Sequence, residues 1–269
     1  MLTLNLGPLA LGLAHLCLLA SLLLASLVGA WLGRKRGGNP EAQLFLLFLL
    51  ALLGARLAFV LEYASLYAAQ PWKIIDLRDG GFTAWAGIGL ALPVAGLLAW
   101  RTPRLRVALL AGLGVGLLSW AAGHWLLDRQ AAAQSLPALT LQDLRGKPQR
   151  LADYRGQPLV VNLWASWCPP CRREMPVLQQ AHITASQVRF VLVNQGESPE
   201  VVRRFIEEAG LQSLPVLLDP TGQLGGQVGS RMLPTTLFYD RHGQLRASHL
   251  GELSAASLSH WLEQIEASP

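Results

Sequence analysis

Residues 159–171 of this chain read LVVNLWASWCPPC, and this stretch decides the fold. The run from Leu159 to Ala165 is short, apolar and rich in β-branched residues, which predicts a buried strand. Ser166 ends that run, and Cys168 and Cys171 then open a stretch of helical character. Two cysteines three positions apart at the start of a helix share one face, so this spacing brings them close enough to form a disulfide.

The predicted position of Cys168 favours redox chemistry. It would lie beside the unpaired N–H groups and the positive end of the helix dipole, which stabilise a thiolate. Motifs of this kind lower the pKa of a cysteine from about 8.5 into the range of roughly 3.5 to 7.5. Cys168 is therefore predicted to attack a partner disulfide, and Cys171 to resolve the mixed disulfide, with no further cofactor. Pro169 and Pro170 cost little there, because first-turn N–H groups have no partner inside the helix.

Two other uses of the cysteine pair remain as alternatives. A zinc site would need two more Cys or His ligands at suitable spacing. The histidines of this part of the chain show no such pairing, so no metal is expected: His182, His242, His249 and His260. A purely structural disulfide suits an oxidising compartment, but closing a four-residue loop constrains the unfolded chain little.

The elements that follow the cysteines alternate between strands and helices. Ser198, Pro199 and Glu200 are typical of a helix start, and that helix is expected to end at Gly210. The remaining predicted elements are strands at about 188–194, 215–218, 235–239 and 245–250, and helices at about 169–180 and 254–267. This order predicts an α/β thioredoxin-like domain over residues 138–269, with a mixed central sheet flanked by helices.

The first half of the chain has a different composition. The whole chain is 52% hydrophobic and only 14% charged, with a net charge of +5. Residues 1–127 carry nine basic and four acidic side chains, whereas residues 128–269 carry thirteen of each. The basic charge therefore flanks apolar runs instead of lining a folded face, which excludes a nucleic-acid-binding protein. A disordered chain and a single soluble domain are excluded as well.

Four apolar runs in residues 1–127 are long enough to cross a bilayer, which takes roughly 20 helical residues. They lie at about 8–33, 42–62, 82–100 and 105–127, and predict an all-α four-helix transmembrane region; residues 128–137 read as a linker. The first run has no preceding Lys or Arg and is too long for a secretory signal, so it is expected to remain in the protein.

Basic residues predict how these helices are oriented. Two turns are strongly basic, and the positive-inside rule places both in the cytoplasm: Arg34, Lys35 and Arg36, and Arg101, Arg104 and Arg106. The N-terminus and residues 128–269 would then face the periplasm of a bacterial inner membrane. Arg56 lies within the second helix and has two interpretations. It contacts a lipid head group or an anion, or it reaches the outer interface beside Glu62.

Residues 165–176, ASWCPPCRREMP, resemble the TlpA/ResA-like membrane-anchored thiol–disulfide oxidoreductases, and residues 194–198 and 233–238 extend the resemblance. It implies that Pro234 is a cis-proline packed against the disulfide. It also implies that Glu174 modulates cysteine protonation; the alternative is a solvated acid paired with Arg173. The groove for a client protein would be lined by Trp167, Pro169, Pro170, Leu233 and Thr235.

A second resemblance covers part of the apolar half. The stretches 54–63, 71–75 and 80–87 are similar to the middle of prolipoprotein diacylglyceryl transferase. Trp85 stands where that family has a histidine that matters for transfer. The region is therefore expected to act as an anchor surrounded by membrane lipid. A lipid-modifying transferase with a redox domain, and a non-catalytic anchor or chaperone, are kept as alternative functions.

The function expected from these features is reduction of disulfides in periplasmic client proteins by thiol–disulfide exchange. Its electrons must come from elsewhere in the membrane. Cys17 is the only cysteine outside the motif, and a thiol relay through the helices would need a second one. A DsbD- or CcdA-like membrane protein is the expected donor, by family analogy.

Overall fold

The computed structural model describes residues 3–6, 9–35, 38–68, 71–230 and 232–267. It divides into two compact units. We call Leu13–Leu77 with Gly81–Leu127 the helical unit, and Met1–Gly12, Arg78–Gly80 and Asp128–Pro269 the sheet unit.

The helical unit is built from long apolar helices. Its helices, the last of which runs on into the sheet unit, are α1 (Leu13–Arg34), α2 (Glu41–Glu62), α3 (Ala64–Ala68), α4 (Ala84–Arg101) and α5 (Arg106–Ala132). Two 3-10 turns, Pro71–Ile74 and Leu77–Asp79, connect α3 to α4. All four helices other than α3 are long and apolar enough to cross a membrane, which confirms the four predicted spans.

The first and last spans differ from the prediction at their ends. α1 begins at Leu13 and not at residue 8, which lies outside the described residues, as does Arg36. The strands β1 (Thr3–Leu6) and β2 (Leu9–Gly12) pair antiparallel before it. Residues 3–6 read TLNL, and this alternation of polar and apolar residues suits a strand. α5 continues to Ala132, inside the predicted linker, because Gln130, Ala131 and Ala132 are good helix formers.

Small residues allow close helix packing inside the helical unit. A Cβ atom at Gly87 would overlap the carbonyl oxygen of Ala51, so α4 and α2 touch backbone to backbone there. A Cβ at Gly112 would lie 2.8 Å from the carbonyl oxygen of Ala25, so α5 and α1 also approach closely. The spacing of small residues in α5 therefore serves packing.

The sheet unit contains a seven-stranded mixed sheet with the order β4-β3-β7-β6-β5-β8-β9. Its strands are β3 (Thr140–Asp143), β4 (Pro148–Arg150), β5 (Leu159–Trp164), β6 (Arg189–Gln195), β7 (Val216–Asp219), β8 (Thr235–Tyr239) and β9 (Leu245–Leu250). Its helices are α6 (Pro169–Thr184), α7 (Pro199–Glu208), α8 (Gln223–Val228) and α9 (Ala255–Glu266). β5, β6 and β7 are parallel, and the other pairs are antiparallel. The predicted α/β class is confirmed.

Besides β1 and β2, the sheet unit contains β3, β4, α8 and a 3-10 turn over Leu151–Tyr154, which were not expected from the sequence. β3 and β4 form a hairpin with mostly polar residues around Arg145 and Gly146, so the hydrophobic signal of a strand is weak there. α8 is six residues long and contains two glycines, which lower helix propensity. Neither the β3–β4 hairpin nor α8 has the hydrophobic periodicity from which the other helices and strands were predicted.

β5 is buried on both faces and lies at the centre of the sheet. Val160 and Trp164 pack in the core that also contains residues of α6, α7 and α9. Leu159, Val161 and Leu163 pack in a second core on the opposite face, which includes α8. Asn162 has the same parity as Val160 and Trp164, so it points toward α6. The strand therefore carries its single polar residue to the helix that begins with the cysteine motif.

Candidate active site

Cys168 and Cys171 are joined in a disulfide, as their spacing predicts, with their Cα atoms 5.3 Å apart. Both cysteines belong to the core between the sheet and α6. Cys168 is 3% exposed and Cys171 is fully buried. An incoming thiolate can therefore approach the bond only from the side of Cys168.

The disulfide lies at the N-terminus of α6. Cys168 is the residue that caps this helix, and its sulfur accepts a hydrogen bond from the backbone N–H of Cys171 at 3.3 Å. Pro169 and Pro170 occupy the first two helical positions, where a missing N–H costs nothing. The helix thus directs the N–H group of Cys171 and its own positive end at the sulfur of Cys168, which favours a thiolate there when the pair is reduced.

Glu174 lies one turn beyond Cys171 and is completely buried. Its Oε1 accepts a hydrogen bond from Nδ2 of Asn162 at 2.8 Å, and its Oε2 accepts one from the backbone N–H of Leu253 at 3.0 Å. Burial raises the pKa of Glu174 from its ordinary 4.5 to about 8, the two hydrogen bonds oppose that rise, and the charge of Glu252 adds to it. The carboxyl group is therefore protonated at neutral pH.

The alternative in which Glu174 is a solvated acid paired with Arg173 is wrong. Arg173 instead forms an ion pair with Glu252, whose Oε2 lies 2.8 Å from Nε of Arg173. The neighbouring Arg172 places its guanidinium over the ring of Phe205, 5.6 Å from the ring centre. Both cations next to the motif are thus engaged by other side chains.

Asn162 connects the carboxyl group of Glu174 to the sheet. Its Nδ2 also donates to Oγ1 of Thr236 on β8, at 2.9 Å. Asn162 and Thr236 are directly paired in the antiparallel register of β5 and β8. The carboxyl group of Glu174 is therefore bonded to Asn162 of β5 and to Leu253, which precedes α9. Glu174 itself belongs to α6, the helix that begins at the disulfide.

Pro234 lies at the same end of the sheet as the disulfide. Leu163 of β5 pairs with Thr235 of β8, so Pro234 lies level with Trp164, just before the motif. The Leu233–Pro234 peptide bond is cis, as the resemblance implies, and Pro234 is buried. Leu233 packs against the core that contains both cysteines. The catalytic role of Pro234 stays a prediction.

The five residues assigned to the client groove differ in exposure. Trp167 is 67% exposed, Pro169 is exposed, and Pro170 and Leu233 are half-buried. Thr235 is fully buried, and its hydroxyl is bonded to Oγ of Ser230 at 2.8 Å and to the carbonyl oxygen of Met232 at 2.7 Å. The side chain of Thr235 therefore cannot touch a client directly. It could contribute to the groove only by holding the turn between Ser230 and Thr235 in place.

Glu197 is a residue of this site that sequence reasoning missed. Its carboxylate accepts hydrogen bonds from the backbone N–H of Ser166 at 2.7 Å, from the hydroxyl of Ser166, and from Nδ2 of Asn194 at 2.6 Å. Ser166 is two positions before Cys168, so Glu197 fixes the segment that leads into the motif. The only signal in the sequence was the NQGES stretch at 194–198, to which no role was attached.

Across the described ranges, no group of three or more His, Cys, Asp or Glu side chains is placed to hold a metal ion. A disulfide at a helix N-terminus, at the end of a central strand and next to a buried carboxyl group, defines a thioredoxin-like protein-disulfide oxidoreductase.

Comparison with known proteins agrees with this class. Residues 132–248 match the AhpC/TSA family, and residues 2–125 match prolipoprotein diacylglyceryl transferase. The thiol-disulfide oxidoreductase ResA of Geobacillus thermodenitrificans is 34% identical over 173 residues, which cover 63% of this chain and 96% of that protein. The sporulation thiol-disulfide oxidoreductase A of Bacillus subtilis is 30% identical over 157 residues, covering 56% and 92%.

A crystal structure of StoA from Bacillus subtilis is 27% identical, covers 47% of this chain and 99% of its own, and has a TM-score of 0.41. The chain belongs to the ResA family of thiol-disulfide oxidoreductases. Both resemblances noted in the sequence are thereby confirmed, and the protein is a thiol-disulfide oxidoreductase.

Proposed function

We propose that this protein is a membrane-anchored reductase of disulfides in client proteins outside the cytoplasm. The observation that carries the proposal is the unequal access to the two cysteines, because only Cys168 reaches the surface. An enzyme with this arrangement attacks through one sulfur and resolves through the other.

The exchange proceeds in two steps. In the reduced protein, the thiolate of Cys168 attacks a client disulfide, forms a mixed disulfide and releases the first client sulfur as a thiolate, which takes up a proton. Cys171 then loses its proton and attacks the sulfur of Cys168, which releases the second client sulfur. The client gains two electrons and two protons, and the protein ends with the Cys168–Cys171 disulfide.

Glu174 is proposed to exchange a proton with Cys171 during the second step. Residues three apart on a helix lie on one face, so its carboxyl group follows Cys171 by one turn. A group with a pKa of about 8 can both give and accept a proton near neutral pH. The neutral Asn162 beside it cannot take this role.

The surroundings of the motif favour the reducing direction. A strongly oxidising couple needs a stabilised reduced form. The two residues between the cysteines are prolines and offer no side-chain donor, while Arg172 and Arg173 are engaged by Phe205 and Glu252. Stabilisation of the Cys168 thiolate therefore comes mainly from the helix N-terminus.

Electrons are proposed to reach the disulfide from a separate DsbD- or CcdA-like membrane protein. Cys17, the one cysteine outside the motif, is free and half-buried in α1, and a single thiol cannot form a relay disulfide within this chain. With both basic turns in the cytoplasm, the sheet unit faces the periplasm of the inner membrane, where such a donor delivers its electrons.

The test is the redox state of Cys168 and Cys171 in cells, measured by thiol alkylation and gel shift with and without the donor protein. We expect a mostly reduced pair that becomes oxidised when the donor is deleted, in the wild type and in Cys17→Ala alike. A pair that stays oxidised in both strains would overturn the reducing direction. Loss of the reduced pool in Cys17→Ala would overturn the separate donor.

A second candidate function is diacylglyceryl transfer, because residues 2–125 match that family. Trp85 occupies the position of the family's histidine, and it is 76% exposed at the start of α4. An indole cannot exchange protons near neutral pH as an imidazole does. We therefore assign this region to anchoring. Lipoprotein processing that persists in Cys168→Ser and is lost in a variant of the helical unit would support the transferase instead.

A non-catalytic anchor or chaperone is the third candidate. It predicts that replacing both Cys168 and Cys171 with serine leaves the cellular function intact. We expect this double variant to behave as a deletion. Complementation of a deletion strain distinguishes the two outcomes.

A further inference from the structure

The connection between α2 and α4 folds back along the helices of the helical unit. The backbone N–H of Thr83 donates to the carbonyl oxygen of Ala55 at 3.0 Å, so the end of this connection lies beside the interior of α2. Arg56 is the next residue of α2, six positions before its end at Glu62. At 1.5 Å per residue, the connection reaches about 9 Å below the end of that helix.

Arg56 holds this connection by its backbone. Its Nε donates to the carbonyl oxygen of Ile74 at 3.1 Å, and its Nη1 donates to that of Gly81 at 2.9 Å. Its Nη2 donates to the carbonyl oxygens of Lys73 and Asp76, both at 3.0 Å. The side chain is only 5% exposed. Four carbonyl groups from one short segment thus converge on one guanidinium.

Two aromatic rings complete the surroundings of this guanidinium. The ring centres of Tyr67 and Phe82 lie 5.5 Å and 5.9 Å from its central carbon. Arg56 therefore lies between backbone oxygens and ring faces inside the helical unit. The sequence left open whether Arg56 contacts a lipid head group or an anion, or reaches the outer interface beside Glu62. In the structure, the donors of Arg56 are instead directed at the chain's own backbone.

Irregular backbone is tolerated at membrane depth only where its polar groups are satisfied within the protein. The turns of this segment satisfy some of them, since Ile75 N–H donates to the carbonyl oxygen of Trp72 and Asp76 N–H to that of Lys73, both at 3.2 Å. Arg56 donates to three carbonyl groups that these two turn bonds do not use, those of Ile74, Asp76 and Gly81, and gives the carbonyl group of Lys73 a second donor. The segment can therefore lie beside lipid without unpaired carbonyls at these positions.

The outer surface of the same segment is apolar. Trp72 is 68% exposed, Ile75 is 82% exposed and Leu77 is 57% exposed. Trp85, which follows at the start of α4, is 76% exposed. Tryptophan favours the membrane–water interface, where its ring lies at head-group level. These side chains continue the lipid-facing surface of α2 and α4.

We propose that residues 71–77 form an interfacial segment that inserts into the lipid bilayer at the end of α2, with Trp72, Ile75 and Leu77 in contact with lipid. Arg56 acts as the positioning residue of this segment. Its role is to pair the segment's carbonyl groups, and the surface that binds the bilayer is the apolar one. The occupant of this surface is the bilayer that the neighbouring helices cross.

The test uses a fluorescent label on the full chain in phosphatidylethanolamine–phosphatidylglycerol vesicles. Ile75→Cys is made in a Cys17→Ala background with Cys168 and Cys171 oxidised, so the new thiol is the only free one. Nitroxide groups are placed at the lipid head group, or at a shallow or deep acyl position. We expect the label at 75 to be quenched severalfold more by head-group and shallow nitroxides than by deep ones.

Two labelled positions serve as matched controls. Leu53→Cys lies on the exposed face of α2, closer to the middle of that helix, and is expected to respond most to the deep nitroxide. Ser213→Cys lies on an exposed loop of the sheet unit and is expected to be quenched by none. A label at 75 that behaves like the one at 213 would overturn the proposal.

Arg56→Lys tests the role of the guanidinium. Lysine keeps a positive charge but has a single nitrogen, which cannot reach four separate carbonyl groups. We expect quenching at 75 to fall toward that at 213, and trypsin to cut at Lys73 or Arg78, while quenching at 53 stays unchanged. If both readouts match the wild type, Arg56 does not position the segment. The wild-type quenching profile tests the interfacial placement even if this variant fails to insert.

Discussion

The sheet unit and the helical unit each bury an ionisable side chain, and they stabilise it in different ways. Glu174 lies among few polar groups, so burial raises its pKa to about 8 and it holds a proton at neutral pH. Arg56 is met by four carbonyl oxygens of its own chain. The first arrangement leaves a group that can exchange a proton, which suits chemistry, whereas the second uses its donors to hold backbone in place.

The largest effect is expected at the cysteines, which give the sheet unit its chemistry. Cys168→Ser should abolish reduction of a disulfide substrate such as insulin, because no accessible sulfur remains to attack it. Cys171→Ser should accumulate a mixed disulfide with the substrate, visible on a non-reducing gel. Cys17→Ala is the matched control and should retain activity. Residual turnover by Cys168→Ser would contradict the assignment of the nucleophile.

Removing the guanidinium of the helical unit should cost the most stability. In Arg56→Gln the carbonyl groups of Ile74, Asp76 and Gly81 lose the guanidinium as a donor, at about 1–3 kcal/mol for each buried group left unpaired, while that of Lys73 keeps the N–H of Asp76. We expect the unfolding free energy of the helical unit to fall by about 4 kcal/mol or more on this basis. Denaturation of the full chain in mixed micelles measures it. A fall below about 1 kcal/mol, the net value of one ordinary hydrogen bond, would remove the contrast between the two units.

Glu174 should make the stability of the sheet unit depend on pH. Its pKa is about 8 in the folded protein, against an ordinary value of 4.5, so the folded state binds one more proton between these values. Stability is then greatest below the lower value and falls by about 1.4 kcal/mol per pH unit toward the upper one. Urea unfolding monitored by tryptophan fluorescence across this range measures the slope.

Glu174→Gln is the control for that slope. Glutamine keeps the shape of the side chain and can still accept a hydrogen bond from Leu253, but it has no proton to lose. The pH dependence between the two pKa values should disappear in this variant. An unchanged slope would assign the titration to another group.

Glu197 should have a moderate effect on both stability and exchange. Glu197→Ala removes the acceptor of the Ser166 N–H, the Ser166 hydroxyl and the Asn194 amide, and hydrogen bonds to a charged group contribute about 1.5–3 kcal/mol. We expect a loss of about 2 kcal/mol and a severalfold slower reaction of the disulfide with dithiothreitol. Glu200→Ala, three positions on and exposed, should change neither.

The smallest effect is expected at Glu252. Its charge contributes to the raised pKa of Glu174, although less than burial does. Glu252→Gln removes this charge and leaves that of Arg173, so the pKa of Glu174 should move down by a fraction of a unit. The upper end of the pH dependence described above should move with it. A shift upward would contradict the direction of this interaction.

Periodic hydrophobic patterns made most of this architecture predictable. The strand over 159–165 and the four apolar runs carry strong signals of this kind, and the structure contains each of them. The β3–β4 hairpin and α8 were missed because their residues are polar or glycine-rich. The start of α1 was placed too early, since apolar content alone does not distinguish the residues of β2 (Leu9–Gly12, LALG) from a helix.

The parts of the site that depend on contacts between residues distant in sequence could not be predicted. The cysteine pair follows from local spacing, so it could be read from the sequence. The burial of Glu174 depends on Leu253, 79 positions away, and the contacts of Glu197 depend on Ser166, 31 positions away. No local pattern encodes such pairings. The exposure of Thr235 could not be foreseen for the same reason, since its strand is buried on both faces.

The hydrogen bond from the Leu253 backbone to Glu174 has a consequence for spectroscopy. This amide proton points at the carboxyl group that we propose exchanges a proton with Cys171. Its chemical shift and its rate of exchange with deuterated solvent should therefore change as Glu174 loses its proton, and again when the disulfide is reduced. Leu253 is far from the cysteines in sequence, so a label there leaves the motif untouched. The chain thus contains its own reporter nucleus for the state of the buried acid.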